Sequence, residues 1–191
     1  MKDEQYTVKA KRKDNGGWVQ GYIYGNGLPF PEKTYVGLIG LVEMVTDGVH
    51  IEKEVIREIH EVDPESICRF TGLYDNEERR IWENDILMCH GSTDDLVKAA
   101  YGEFEVVDIA EQKTTDKVIG WHYEVIPTDA LSKCEPFCYS MPLTDWYIEQ
   151  CEMEVIGNIY DFDKTKISEG QQPVVPETWK KHTINRFLKK V

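Results

Sequence analysis

The residue types that carry chemistry are present in this chain, but their spacing suits little of it. Cys134 and Cys138 are the closest pair of thiols. With Cys151, or with Cys89 and His90, they have the ligand types of a tetrahedral zinc site. There is no C-x2-C pair, however, and Pro136 lies between the two thiols. His60-Glu61 begins like H-E-x-x-H, but Pro64 stands where the second histidine belongs. Asp161-x-Asp163-x-Thr165 opens like a calcium loop, and Lys166 replaces the glycine that loop needs. Cys89 and His90 are adjacent, so on a strand they point to opposite faces and cannot form an activated pair. No G-x-S-x-G, no glycine-rich phosphate loop and no G-x-G-x-x-G is present. The expectation is therefore no metal, no cofactor and no catalytic residue. The thiols read as buried or loop groups and the many carboxylates as solvated charge.

Two groups of residues remain as candidate ligand contacts. Trp121 and His122, followed by Tyr123, could offer a stacking platform to a base. Strand alternation puts Trp121 and Tyr123 on one face, which is equally what a β core needs, and that reading is preferred. Arg69, Asp75 and Asp85 flank one polar turn. Their functional reading is a shared ligand surface. Their structural reading is a hairpin in which Gly72 permits a bend, Asp85 binds backbone at a turn, and Phe70, Leu73 and Ile86 fill the core. The structural reading is preferred, because every residue type there has a folding role.

The C-terminus is the third candidate. Ile184, Phe187, Leu188 and Val191 sit at i, i+3, i+4 and i+7, one apolar stripe of a helix. Lys180, Lys181, Arg186, Lys189 and Lys190 surround it. A basic amphipathic helix docks on a partner, an anionic surface or nucleic acid, or packs on its own acidic body. The last is slightly preferred.

The elements that must position these groups are mostly extended. Residues 6–24 read as a hairpin around Asp14-Asn15-Gly16-Gly17. Residues 34–46 are ambiguous between helix and strand, and 49–60 alternate weakly; strands are preferred for both. Pro64 starts a short turn, and Ile67 to Leu73 is strand-like. Arg80 to Trp82 and Ile86 to Cys89 follow as extended runs. His90 to Asp95 reads as a loop, then 101–109 and 118–126 alternate. Residues 127–145 hold three prolines and read as an irregular loop. Residues 146–162 read as extended, with a bend at Gly157-Asn158. Many short strands separated by turns point to a mainly β barrel or sandwich.

Composition sets the class. The chain has 191 residues, 41% hydrophobic and 30% charged, which suits a folded globular protein. The net charge is -13. It is uneven: residues 164–191 carry seven Lys or Arg against two acids, a net of +5, which leaves -18 on the rest. An acidic body disfavours nucleic acid as a general partner. An odd count of five cysteines does not form a secreted disulfide framework. The sequence shows no signal peptide and no apolar run long enough for a membrane span, so a cytoplasmic location is expected.

Three blocks then carry a resemblance. His60-Glu61-Val62-Asp63-Pro64-Glu65-Ser66 leads into Phe70-Thr71-Gly72-Leu73-Tyr74-Asp75-Asn76. Ile81-Trp82-Glu83-Asn84-Asp85-Ile86-Leu87 follows, and Glu154-Val155-Ile156-Gly157-Asn158-Ile159-Tyr160 comes much later. In this order they resemble the YopX family of phage and prophage proteins, over roughly residues 6–163. The chain departs from that pattern at Arg69, where glutamine is usual. Glu77-Glu78 replaces an Asn-Gly turn, and Asn84 stands where a glycine precedes the aspartate. Asparagine tolerates left-handed backbone, so that turn can survive.

The resemblance implies an SH3-like barrel and the cytoplasm of a bacterial host, and it implies no settled activity. The expected organisation is a β-rich segment at 1–63, a YopX-like barrel at 64–163, and a linker with a basic C-terminal helix at 164–191. The expected function is a non-enzymatic accessory protein acting by protein contact, with another protein or with itself as a homo-oligomer. The alternative is a nucleic-acid-binding module using barrel loops and the basic tail. A hydrolase-type enzyme is the weakest reading.

Overall fold

A computed structural model describes residues 6–24, 33–46, 49–108, 113–126 and 139–161, with residues 40–54 described as backbone only. The expected C-terminal helix, and with it Lys180, Lys181, Arg186, Lys189 and Lys190, lies outside the described residues. The chain is mainly β and divides into two compact units between Gly72 and Leu73.

The first unit is built from β1 (Val8–Lys11), β2 (Trp18–Tyr24), β3 (Thr34–Thr46), β4 (Val49–Val62) and the start of β5 (Cys68–Tyr74). The strands lie in the order β4-β3-β2-β1-β5, with antiparallel neighbours. The ambiguous segment 34–46 is a strand throughout; β-branched side chains and a long partner strand outweigh any helical spacing. Val8, Ala10, Val19, Val36 and Val62 form the core, with Leu38 and Ile67 against it.

The Asp63-Pro64-Glu65-Ser66 block is a capped turn. Pro64–Ser66 is one turn of 3-10 helix, and the Asp63 carboxylate accepts the Glu65 N–H at 3.1 Å. The Ser66 hydroxyl donates to the Asp63 carbonyl at 2.7 Å and accepts the Lys11 N–H at 2.8 Å. One buried serine therefore ties the turn to β1.

The second unit contains β6 (Arg80–Trp82), β7 (Asp85–Cys89), β8 (Ser92–Asp108), β9 (Lys113–Val125), β10 (Met141–Pro142), helix α1 (Asp145–Gln150) and β11 (Glu154–Asn158). Its sheet runs β10-β9-β8-β7-β11, all antiparallel. Strand β7 is buried along its whole length. Leu87 and Cys89 enter one cluster with Ile81, Val97, Ala99, Leu143, Ile148 and Met153, while Ile86 and Met88 enter another with Leu96. A strand buried on both faces reads as the unbroken apolar run seen here.

Four expectations need correction. The strands are not all short: β3, β4, β8 and β9 run for 13, 14, 17 and 13 residues. Residues 127–145 are not an irregular loop throughout: 127–138 lie outside the described residues, but Met141 and Pro142 pair with β9, Leu143 is buried in the core and Asp145 starts α1. His90 to Asp95 is not a loop. His90 and Gly91, with φ of 51° and 66°, make a two-residue turn, and β8 starts at Ser92, paired with Cys89. Residues 146–150 are not extended either. They belong to α1, whose N-cap Thr144 accepts the Tyr147 N–H through its hydroxyl. Ile148 supplies the buried contact of this short helix. The apolar spacing there fits either element, and the cap decides.

Candidate interaction surface

The sequence blocks that carry the resemblance meet as backbone clips. Asp75 closes the 75–79 turn: one carboxylate oxygen accepts the Glu77 and Arg79 N–H groups at 3.0 and 2.8 Å. The other accepts the Arg79 Nε at 2.8 Å and the Val155 N–H, on β11, at 2.8 Å. Asp85 is fully buried. Its carboxylate accepts the Trp82 N–H at 2.8 Å and the Asn158 side-chain amide at 2.9 Å. Asn158 also donates to the Glu83 carbonyl and accepts the Tyr160 N–H. Asp75 and Asp85 thus direct their oxygens to the fold around them. Arg69 is exposed on β5 in the first unit, in register opposite Val8. Sequence reasoning named the two aspartates but passed over Asn158 and Arg79, although both stand in or beside the same blocks.

Trp121 and Tyr123 pack against the larger core cluster of the second unit, and Trp121 meets Tyr101 edge-on with ring centroids 5.0 Å apart. His122 faces the other way. It is buried, stacks on Phe104 at 4.7 Å, and has Nδ1 3.2 Å from the Gly120 carbonyl. Beside it lies a groove of about 480 Å³, lined by Glu103, Phe104, Glu105, His122, Glu124 and Tyr139, among others. Burial alone would raise the Glu124 carboxyl. The Lys98 ammonium at 2.7 Å, helped by His122, outweighs burial and holds it below its usual value. The Thr114 hydroxyl, then Lys117, lower the Glu105 carboxyl.

Two of the described thiols, Cys89 and Cys151, are shifted away from the thiolate form. Cys89 is buried in the core, and burial pushes its thiol far above the ordinary value, with Asp95 and Cys151 adding to the effect. Burial, then Asp95, raises Cys151 as well. His90 turns to Asp95, at 2.8 Å. Thiolate is the nucleophilic form, so neither thiol is activated. Among the described residues no three His, Cys, Asp or Glu side chains cluster as metal ligands, and no helix is long and apolar enough to cross a membrane. Cys134 and Cys138 lie outside the described residues.

The first unit carries the feature that sequence patterning did not single out. Val36 and Leu38 of β3 turn inward. Ile39 alternates to the opposite face, opposite Ile56 of β4, and Ile59 pairs with Gly37 on that face. Ile39, Ile56 and Ile59 are 43%, 44% and 46% exposed. Gly37 lies between Ile56 and Tyr24, each within 4 Å of where a Cβ would stand. The result is an aliphatic face with a glycine hollow, on a sheet whose other face holds the core. The signal existed in the sequence, since 34–46 and 49–62 carry more apolar residues than a one-sided strand needs.

Neither a curated protein nor a solved structure matches the chain significantly. A family model described as YopX protein matches residues 21–163. That span includes all three sequence blocks and most of the chain, and the chain belongs to the YopX family.

Proposed function

We propose that this YopX-family chain is a phage- or prophage-encoded accessory protein of the bacterial cytoplasm that acts without catalysis, by protein contact. The observation that carries the reading is the exposed face formed by Ile39, Ile56, Ile59 and Tyr24. Contiguous exposed aliphatic surface on a folded unit marks an interaction site. The basis for a non-enzymatic role is chemical: the Cys89 and Cys151 thiols are raised, and Asp75 and Asp85 are engaged with backbone and structural side chains. In the second unit, β7 to β10 form a meander, α1 follows, and β11 returns to pair with β7. That succession supports an SH3-like barrel, a scaffold used for many kinds of binding.

The test is photo-crosslinking from a benzophenone side chain at position 39 or 59 in the producing cell. The expected result is a discrete protein adduct, lost when Ile56→Glu is added and absent from position 117. Equal, diffuse labelling from all three positions overturns the reading.

A second reading, nucleic-acid binding, has one observation in its favour. The ammonium groups of Lys9 and Lys11 lie 4.9 and 4.3 Å from the Trp18 ring centroid, a basic and aromatic combination on β1 and β2. It requires binding to single-stranded nucleic acid that weakens steeply with salt and falls in Lys11→Ala.

A further inference from the structure

The aliphatic face of the first unit sets a knob beside a hollow. In the β3–β4 register Ile59 stands opposite Gly37. Ile59 is 46% exposed, and Gly37 has no side chain to meet it. Tyr24 and Ile56 wall the hollow, each within 4 Å of where a Gly37 Cβ would stand. The register shift at Leu38 and Ile39 inserts Arg57 as an extra residue of β4. A bulge of this kind re-aims side chains, and this one puts Ile56 and Ile59 on one face although they are three residues apart.

A knob beside its own hollow is self-complementary. Opposed residues of antiparallel strands lie roughly 5 Å apart. A two-fold axis running between β3 and β4, parallel to both, sets each Ile59 over the Gly37 of the other copy. Contact of one patch with the same patch on a second chain is the commonest basis of dimers. Two sheets stacked in this way are aligned, as in an ordinary β-sandwich.

The backbone and the charge point the same way. β3 and β4 stay paired from Thr34 to Thr46, whereas β2 pairs only with Tyr35, Val36 and Gly37 of β3. Beyond these positions, among the described residues, the two strands continue as a ribbon. A two-stranded ribbon is marginal in water unless another layer packs on it. Residues 1–72 hold twelve acids and nine Lys or Arg, a net of -3, while residues 73–161 hold twenty and six, a net of -14. Two copies therefore meet with least repulsion through the first unit. Glu61, on this face opposite Tyr35, is already held by Lys13 at 3.1 Å and Lys33 at 3.4 Å.

We propose that the face of Ile39, Ile56 and Ile59 binds the same face of a second copy, with each Ile59 seated over the Gly37 of its partner. This rests on the protein-contact reading and names its partner.

The test is light scattering coupled to size exclusion, on the full chain over a wide range of concentration. The expected result is a mass that rises to twice that of one chain. Ile59→Glu sets two like charges side by side at the axis and should weaken association by roughly tenfold or more. Ile59→Lys should do the same. An equal mixture of the two variants should regain the dimer, because the mixed pair brings opposite charges together. Gly37→Ala fills the hollow without adding charge and should weaken the dimer as well, so the result does not depend on one variant folding. A chain that stays single at every concentration, a dimer indifferent to Ile59→Glu, or a mixture no tighter than its components would overturn the proposal. Crosslinking from position 59 in the cell separates the two readings. An adduct with a different protein overturns self-docking alone, and the absence of any discrete adduct overturns the contact reading with it.

Discussion

Asp85 and Asn158, 73 residues apart in the chain, are joined by a 2.9 Å hydrogen bond between a carboxylate oxygen and the side-chain amide. Both residues are buried, at 0% and 1% exposure. The same amide donates to the Glu83 carbonyl, and the Ile159 N–H donates to the Asn84 carbonyl. The last strand of the sheet is thereby fixed to the turn that precedes β7. The second and third sequence blocks each supply half of one buried network.

Removing the amide should be costly. Asn158→Ala leaves a buried carboxylate oxygen short of a donor, a loss of about 2–3 kcal/mol. Denaturant unfolding should show that fall in stability. Asp85→Asn, which keeps the shape and removes the charge, should lose less than Asp85→Ala. Equal stability of Asn158→Ala and the parent chain would mean the network is not fixed in solution.

The pair of Lys98 and Glu124 predicts a pH dependence. The Glu124 carboxyl lies below its ordinary value of 4.5 in the folded chain. Such a group adds stability that is present above its unfolded pKa and lost as pH falls through the folded one. Both side chains are partly exposed, so the contribution is under about 1 kcal/mol after solvent screening. The stability difference between the parent and Lys98→Met should be steady near neutrality and shrink below pH 4.5. A difference that grows on acidification would assign the effect to another group.

Close backbone approach predicts a third result. A Cβ on Gly21 would collide with the carbonyl oxygen of Gly37 on β3, and backbone cannot move aside as a side chain can. Gly21→Ala should therefore cost about 1–3 kcal/mol through overpacking. At Gly37 a Cβ would meet Ile56 Cγ2 at 3.4 Å, an ordinary contact. Gly37→Ala should be much milder, and should fill the hollow in the aliphatic face. Thermal unfolding of the two variants separates these cases.

The legible parts of the fold were those with local causes. Asp14-Asn15-Gly16-Gly17 announces the β1–β2 hairpin, and its Gly16 takes a φ of 69°. Alternation around Trp121 predicts that it shares a face with Tyr123, and both meet the core. A role for Asp85 at a turn was legible because aspartate commonly holds backbone there, and it accepts the Trp82 N–H. What stayed hidden depends on distant partners. Val155 binds Asp75 across 80 positions, and no local pattern encodes that register. Helix α1 was hidden for another reason: six residues are too few for periodicity to separate helix from strand. The Ile39, Ile56 and Ile59 face emerged only with the β3–β4 register, which sets Ile39 opposite Ile56 after a one-residue shift.

The two departures from the family pattern near the 75–85 block allow a paired prediction. Glu78 has a φ of 60° and Asn84 a φ of 64°, both left-handed. These are the positions where the resemblance leads one to expect glycine. Left-handed backbone strains a residue with a Cβ by about 1–2 kcal/mol, and asparagine less than most because its side chain binds locally. Glycine removes the strain but gives back part of the gain through its greater unfolded freedom. Glu78→Gly should therefore stabilise the chain by up to about 1 kcal/mol. Asn84→Gly should change it by less. The Glu78 N–H donates to the Asp75 carbonyl at 2.9 Å, and glycine keeps that bond, so the turn itself survives. Denaturant midpoints of the two variants decide the matter. A larger gain at position 84 would show that strain at 78 is already relieved by the flanking Asp75 contacts.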